Sequence, residues 1–139
     1  MRELLRTWSA LLVISLLFVA LCGASGCGQR INKQDDIKLT VSNYHNHLRW
    51  GRYADASNMM DPADREEFLG RHDELGDGYK VVELELKSLS FKSETEVETK
   101  VVMQWLREPN MTVRKDKLVE TWHRVGDAWL LTDVHVESK

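Results

Sequence analysis

Gly76-Asp77-Gly78 divides the chain into two stretches whose apolar residues follow different periods. Before it, Ile37, Val41, Tyr44 and Leu48 stand four, three and four apart, which is the stripe of an amphipathic helix. After it, apolar and polar residues alternate, the mark of strands with one buried face. A chain that writes its helices first and its strands afterwards, instead of interleaving them, is predicted to be α+β.

The first helix is expected from Asp35, where Asp35 or Asp36 can cap it, to about Gly51, which stands where a left-handed residue ends a helix. A short second helix runs through Tyr53, Ala54, Ala56 and Met59-Met60. A third begins at Asp61-Pro62 and reaches about Arg71, with Phe68 and Leu69 as its apolar part and Leu75 at its frayed end. Four strands follow. In the first, Val82, Leu84 and Leu86 share one face and Leu89 and Phe91 fall on the other parity, so a bulge near Ser88 is predicted to restore the register. In the second, Val97, Thr99, Val101, Met103 and Trp105 face inward. The third is expected from Thr112 to Arg124 and the fourth from Ala128 to Val136, joined by a tight turn at Val125-Gly126-Asp127.

Strands joined by short turns make an antiparallel meander, and a helical layer over one face buries both. The architecture is therefore two to three N-terminal helices on a bent four-stranded antiparallel sheet over residues 35–139. Its closing hairpin, Trp122 to Leu131 with a tryptophan on each side of a Gly turn, resembles that of the NTF2-like or cystatin-like roll. The resemblance implies a cavity between sheet and helices. It implies no single function, because such rolls include isomerases and dehydratases, ligand binders and assembly subunits.

The N-terminus reads as an address. Arg2 and Arg6 precede an apolar run from Trp8 to Leu21, and small residues lead to Cys27. Ala24-Ser25-Gly26-Cys27 resembles the lipobox of bacterial lipoproteins, with Ala24 where Leu is preferred. The resemblance implies a signal peptide over residues 1–26, acylation (diacylglyceryl, palmitate) of Cys27, and a lipidated N-terminus and tether over residues 27–34. Two other readings stand beside it: secretory cleavage near Gly26, and an uncleaved span, since residues 8–27 approach the ~20 that cross a bilayer. Under lipid attachment Cys22 leaves with the signal and Cys27 carries the lipid, so no disulfide forms. The seven-residue tether reaches about 23 Å, which holds the domain near the membrane surface, in the cell envelope. In a Gram-negative cell that is the periplasmic side of the inner or outer membrane.

With 22 acidic against 19 basic residues, a net charge of −3 and no basic stripe, nucleic acid is not an expected partner. No nucleotide-binding glycine loop occurs, and no cofactor is expected. His45 and His47 lie two apart, which places them on different sides of a helix, so they read as solvated and no metal site is assigned. His72-Asp73 reads as a favourable charge at a helix C-terminus. Tyr44, Tyr53, Met103, Trp105, Thr121 and His123 are the candidate pocket residues, on the inward parity with some polar reach. Asp133 and His135, on one face of the last strand and across the hairpin from His123, are weak acid–base candidates; no catalytic residue is assigned. Glu83, Glu85, Lys87, Glu96, Glu98 and Lys100 make a charged outer face, and Trp122 with Glu120 and Arg124 is placed on that face as a possible partner surface.

The function expected is a membrane-tethered binding or assembly module, with an envelope protein or a small molecule as partner. A small pocket enzyme of isomerase or dehydratase type is the alternative. Intact-mass analysis of detergent-extracted protein should show a mature chain that starts at Cys27 and carries acyl groups, and Cys27→Ser should leave the precursor unprocessed. A soluble, unmodified chain starting elsewhere would rule the anchor out.

Overall fold

The computed structural model describes residues 33–137; the signal segment, Cys27 and the tether as far as Asn32 lie outside the described residues, and Lys33 and Gln34, expected in the tether, belong to the first helix. Three helices, α1 (Lys33–Arg49), α2 (Tyr53–Ser57) and α3 (Arg65–Leu75), precede four strands, β1 (Tyr79–Phe91), β2 (Glu96–Arg107), β3 (Arg114–Val125) and β4 (Ala128–Val136). The strands form one antiparallel meander in the order β1-β2-β3-β4. This is the α+β architecture expected from the sequence.

Helix α1 buries the stripe Ile37, Val41, Tyr44 and Leu48, as its spacing demands, and Gly51 follows it at φ 65°. The third helix departs from expectation at both ends. Asp61 and Pro62 lie in a turn, because Asp61 Oδ1 accepts the Ala63 N–H at 2.9 Å and the Asp61 carbonyl accepts the Asp64 N–H at 3.0 Å. The helix therefore starts at Arg65, and it continues past Arg71 to Leu75 because His72 and Leu75 extend the inward side begun by Phe68. The second helix stops at Ser57. Met60 instead joins β4 through an isolated parallel bridge to Leu131: the Leu131 N–H donates to the Met59 carbonyl at 2.9 Å, and the Asp61 N–H to the Leu131 carbonyl at 2.8 Å.

The register of β1 against β2 slips between Leu86 and Ser88, where a bulge was expected, and also between Val81 and Glu83. The second irregularity puts Val81, not Val82, on the inner face with Leu84 and Leu86. Val81 is 6 % exposed and Val82 38 %. On β4 a third irregularity, opposite the Thr121–Trp122 step, precedes the last strand segment. Val125 and Ala128 pair across the turn, and Gly126 takes φ 62° as its first central residue, the position where a two-residue hairpin demands glycine.

The parity of β3 is the reverse of that read from the sequence. Register pairs Val97 with Trp122, Thr99 with Glu120 and Val101 with Leu118, so Trp122 and Glu120 face the helices with the inner residues of β2. Thr121 and His123 lie on the outer face beside Glu98 and Glu96. A shift of one residue exchanges the two faces of a strand completely, so Trp122 is inward and His123 outward, each opposite to the expectation. Trp122 is fully buried at the centre of the core, with the Tyr44 ring edge-on at 5.5 Å and 82°; Val97, Trp129 and Leu131 complete that cluster.

Glu120 is 1 % exposed, and both its carboxyl oxygens have partners. His45 Nε2 donates to Oε1 at 2.8 Å, and the Thr99 hydroxyl donates to Oε2 at 2.7 Å; Thr99 in turn accepts the Trp122 indole N–H at 3.3 Å. His45 is therefore buried, not solvated. Removing one member of such a pair strands a buried polar group, at a cost of about 3–5 kcal/mol. Urea unfolding should show a loss of that size for His45→Ala and for Glu120→Ala, and a combined His45→Leu, Glu120→Leu variant should lose less than the sum of the single losses. Single losses near zero would show that the network does not support the core.

Candidate ligand-binding site

Between the helices and the curved sheet lies a cavity of about 430 Å³. Beside it the 59–61 segment is tied to Leu131 in mid-β4 by backbone hydrogen bonds, and the register of β4 shifts at Thr132. Tyr44 and Leu48 line it from α1, Phe68, Arg71, His72 and Leu75 from α3, and Tyr79 and Val81 from β1. Met103 and Leu118 form the sheet side, and Leu131 to Val136 form one rim with Asp64 and Glu67 opposite. A volume of this size falls in the range of small-molecule sites.

His72 is the most constrained polar group in the wall. Its ring packs against Tyr53 at 4.1 Å and Phe68 at 4.3 Å, with Tyr79 edge-on at 6.3 Å. Nδ1 lies 2.9 Å from the Phe68 carbonyl. A carbonyl only accepts, so Nδ1 carries the proton and Nε2 of the neutral ring is an acceptor. Burial lowers the pKa of His72 below its ordinary value, with Arg71 pushing the same way; the Phe68 hydrogen bond and Asp73 oppose the shift without reversing it. The helix-end cation expected from the sequence is thus a neutral imidazole.

Two phenols flank it. Tyr79 is pushed up to about 12 by burial and, to a lesser extent, by Tyr53 and Asp116, and its hydroxyl donates weakly to Met103 Sδ at 3.9 Å. Tyr44, 3 % exposed, is raised well beyond its ordinary value by burial and by Glu120, against a smaller opposing effect of Arg71. Its hydroxyl makes no hydrogen bond to another described residue. Both remain protonated donors at neutral pH.

Of the candidates read from the sequence, Tyr44 and Met103 line the cavity. Tyr53 stands one layer back as the platform for His72. Trp105 also lies behind the wall, 5.6 Å from the Tyr79 ring, with its N–H on Asp116 Oδ2 at 2.7 Å and Arg114 over its face at 5.4 Å. Thr121 and His123 are on the opposite side of the sheet, for the parity reason given above. His123 faces Glu96 at 3.7 Å instead of Asp133. Asp133 Oδ2 meets His135 Nδ1 at 2.7 Å on the rim, each side chain more than half exposed.

His72, read from the sequence only as a helix-end charge, and Tyr79 were not among the expected cavity residues, although signals for both were present. His72 follows Phe68 by four, on the same helix face, and Tyr79 shares parity with Val81.

No family model matches the chain, and no curated protein matches it in sequence. Solved structures do match in fold. An NTF2-like protein from Anabaena variabilis is 12 % identical, with a TM-score of 0.57 over 84 % of this chain and 97 % of that one. A domain of unknown function with a cystatin-like fold from Nostoc punctiforme is 12 % identical, with a TM-score of 0.60 over 73 % and 76 %. A candidate scytalone dehydratase from Novosphingobium aromaticivorans is 14 % identical, with a TM-score of 0.56 over 76 % and 85 %. The domain therefore has the NTF2-like or cystatin-like fold.

An NMR titration of the histidine ring protons should place the His72 midpoint below the ~6.5 of a free imidazole. As pH falls, the unfolded chain takes up this proton before the folded one, so the stability contributed by the neutral ring is present above pH ~6.5 and is lost as pH drops through the folded value. His72→Phe should flatten that part of the acid limb of a melting-temperature profile. A midpoint at or above 6.5 would contradict the burial argument.

Proposed function

We propose that this protein is a bacterial envelope lipoprotein, anchored through Cys27, whose α+β domain binds a small and largely apolar molecule. The observation that carries this reading is the cavity itself: about 430 Å³ of space walled by Leu48, Phe68, Leu75, Val81 and Leu118 on its apolar part, with His72, Tyr79 and the charged Asp64, Glu67, Arg71 and Asp133 also in the wall. An assembly module would need no such space. The lipobox-like Ala24-Ser25-Gly26-Cys27 supports the anchor, and a short tether would present the cavity close to a membrane, where apolar molecules concentrate.

The alternative, a pocket enzyme of isomerase or dehydratase type, draws on the likeness to the candidate scytalone dehydratase and on the neutral His72 beside the cavity. Turnover of a bound molecule would favour it over binding alone.

N-phenyl-1-naphthylamine, a neutral aromatic probe, should raise the melting temperature of the protein, since a ligand at a hundred times its Kd stabilises the folded state by about 2.7 kcal/mol. Val134→Trp, which fills the cavity from its half-exposed rim, should abolish that shift while leaving the unliganded melting temperature nearly unchanged. No stabilisation of the wild-type protein by the probe would remove the support for a ligand site.

A further inference from the structure

Helix α1 has a second side that the core does not use. Leu39 is 62 % exposed, and Trp50, in the turn that continues the helix, is 71 % exposed. The Trp50 N–H still donates to the Asn46 carbonyl at 3.1 Å, so Leu39 and Trp50 stand eleven residues apart on one helical path. Eleven residues make three turns to within about 20°, which puts both side chains on one line along the helix, about 16 Å apart. The residue before each is a cation: Lys38-Leu39 is repeated as Arg49-Trp50. Lys38 and Arg49 therefore share a second line beside the apolar one, and Arg52 adds a charge just past the corner.

The charge on this side has one sign. From Lys38 to Ala54 no carboxylate occurs; Asp35 and Asp36 lie in the first turn of the helix, and Asp55 faces His47 at 3.7 Å. Lys38, Arg49 and Arg52 are exposed, and none of them forms an ion pair with another described residue. Arg49 lies instead over the Trp50 ring, 6.0 Å from its centroid.

We propose that this side of α1 rests on a membrane of anionic phospholipid, with Leu39 and Trp50 entering the headgroup layer and Lys38, Arg49 and Arg52 meeting lipid phosphates. The proposal rests on the reading of Cys27 as a lipid anchor. Both chemistry and reach fit a bilayer. Tryptophan settles at the depth of the headgroups, where its ring is in an apolar layer and its N–H is wet, and guanidinium pairs with phosphate in a bidentate fork. Lys33 opens the helix, six residues past Cys27, so at most about 20 Å of chain separates the anchor from α1. That span is shorter than the helix, whose 17 residues run about 25 Å. A tether this short keeps the local concentration of lipid high, so contacts that are weak singly hold together. Tyr44 and Leu48, on the opposite side of the same helix, line the cavity, and docking sets that cavity one helix diameter, about 10 Å, from the lipid.

The test uses the full chain extracted from membranes and placed in nanodiscs of phosphatidylcholine brominated near the headgroup, with or without phosphatidylglycerol. Bromine quenches an indole that it touches. Whatever Trp8, Trp105, Trp122 and Trp129 contribute is the same in Trp50→Phe and cancels in the difference from the wild-type protein. That difference should be large with phosphatidylglycerol and small without it. A combined Lys38→Gln, Arg49→Gln, Arg52→Gln variant should lower the docking equilibrium on the order of a hundredfold, about fivefold for each cation. Equal quenching of the wild-type protein and Trp50→Phe, in chains held by the discs, would overturn the docking and leave the anchor standing. A difference that does not respond to phosphatidylglycerol would also overturn it. A chain recovered unmodified outside the discs would remove the anchor; its sedimentation with phosphatidylglycerol vesicles, lost in Trp50→Phe, would still support the docking, and failure to sediment would overturn both. The substituted side chains are all exposed, so the variants keep the core, and the wild-type comparison between the two lipid compositions decides the question where a variant fails to fold.

Discussion

The carboxyl group of Glu120 sets the position of everything above the sheet. Buried on the central strand β3, it is tolerable only because His45 and Thr99 each satisfy one oxygen, and His45 can do so only if α1 lies at one place along the strand. Hydrophobic packing alone would let a helix slide by a fraction of a turn at small cost, since apolar contacts are non-directional. The 2.8 Å hydrogen bond from His45 removes that freedom, because Thr99 holds the carboxyl it meets at 2.7 Å from within the sheet. The neighbouring residue, Tyr44, is thereby fixed edge-on to Trp122 and at the inner end of the cavity. One polar network in the core thus orients the side chain that the site uses.

The cavity is the space left where helix and sheet part company. Along α1 the two layers are in contact through Ile37, Val41 and Trp122, and towards α3 they diverge. The divergence is held open from the far side by backbone hydrogen bonds between the 59–61 segment and Leu131. The rigid aromatic stack of Tyr53, His72 and Phe68 keeps the roof from collapsing into the gap.

The class of fold was legible in the sequence because two different periods meet at Gly76-Asp77-Gly78, and periodicity is the strongest signal that a sequence carries. The inner face of β2 was legible for the same reason: Val97, Thr99 and Val101 are unambiguous. The strand β3 was not, because its two parities, Leu118-Glu120-Trp122 and Val119-Thr121-His123, each mix apolar and polar residues. Glu120 weighed against the correct one. Its partner was nonetheless indicated, since His45 stands four after Val41 and three before Leu48, inside the buried stripe. The two-residue spacing from His45 to His47 excludes a shared metal ion and is silent on burial, which the spacing to Val41 and Leu48 determines. The bulges at Val81–Glu83 and at Thr121–Trp122 left no local mark, for they answer to sheet curvature and to the chain packed against β4.

The bridge between Met60 and Leu131 joins residues far apart in the chain, and so does the pair His45–Glu120. During synthesis the three described helices emerge before the described strands do, and α1 cannot bury its whole stripe until Trp122, Trp129 and Leu131 have followed. A chain with so many distant contacts folds slowly, because the loops must close before the contacts reward them. The polypeptide therefore spends its emergence with part of an apolar helical stripe uncovered, and the core around Trp122 can close only once the last hairpin has been made.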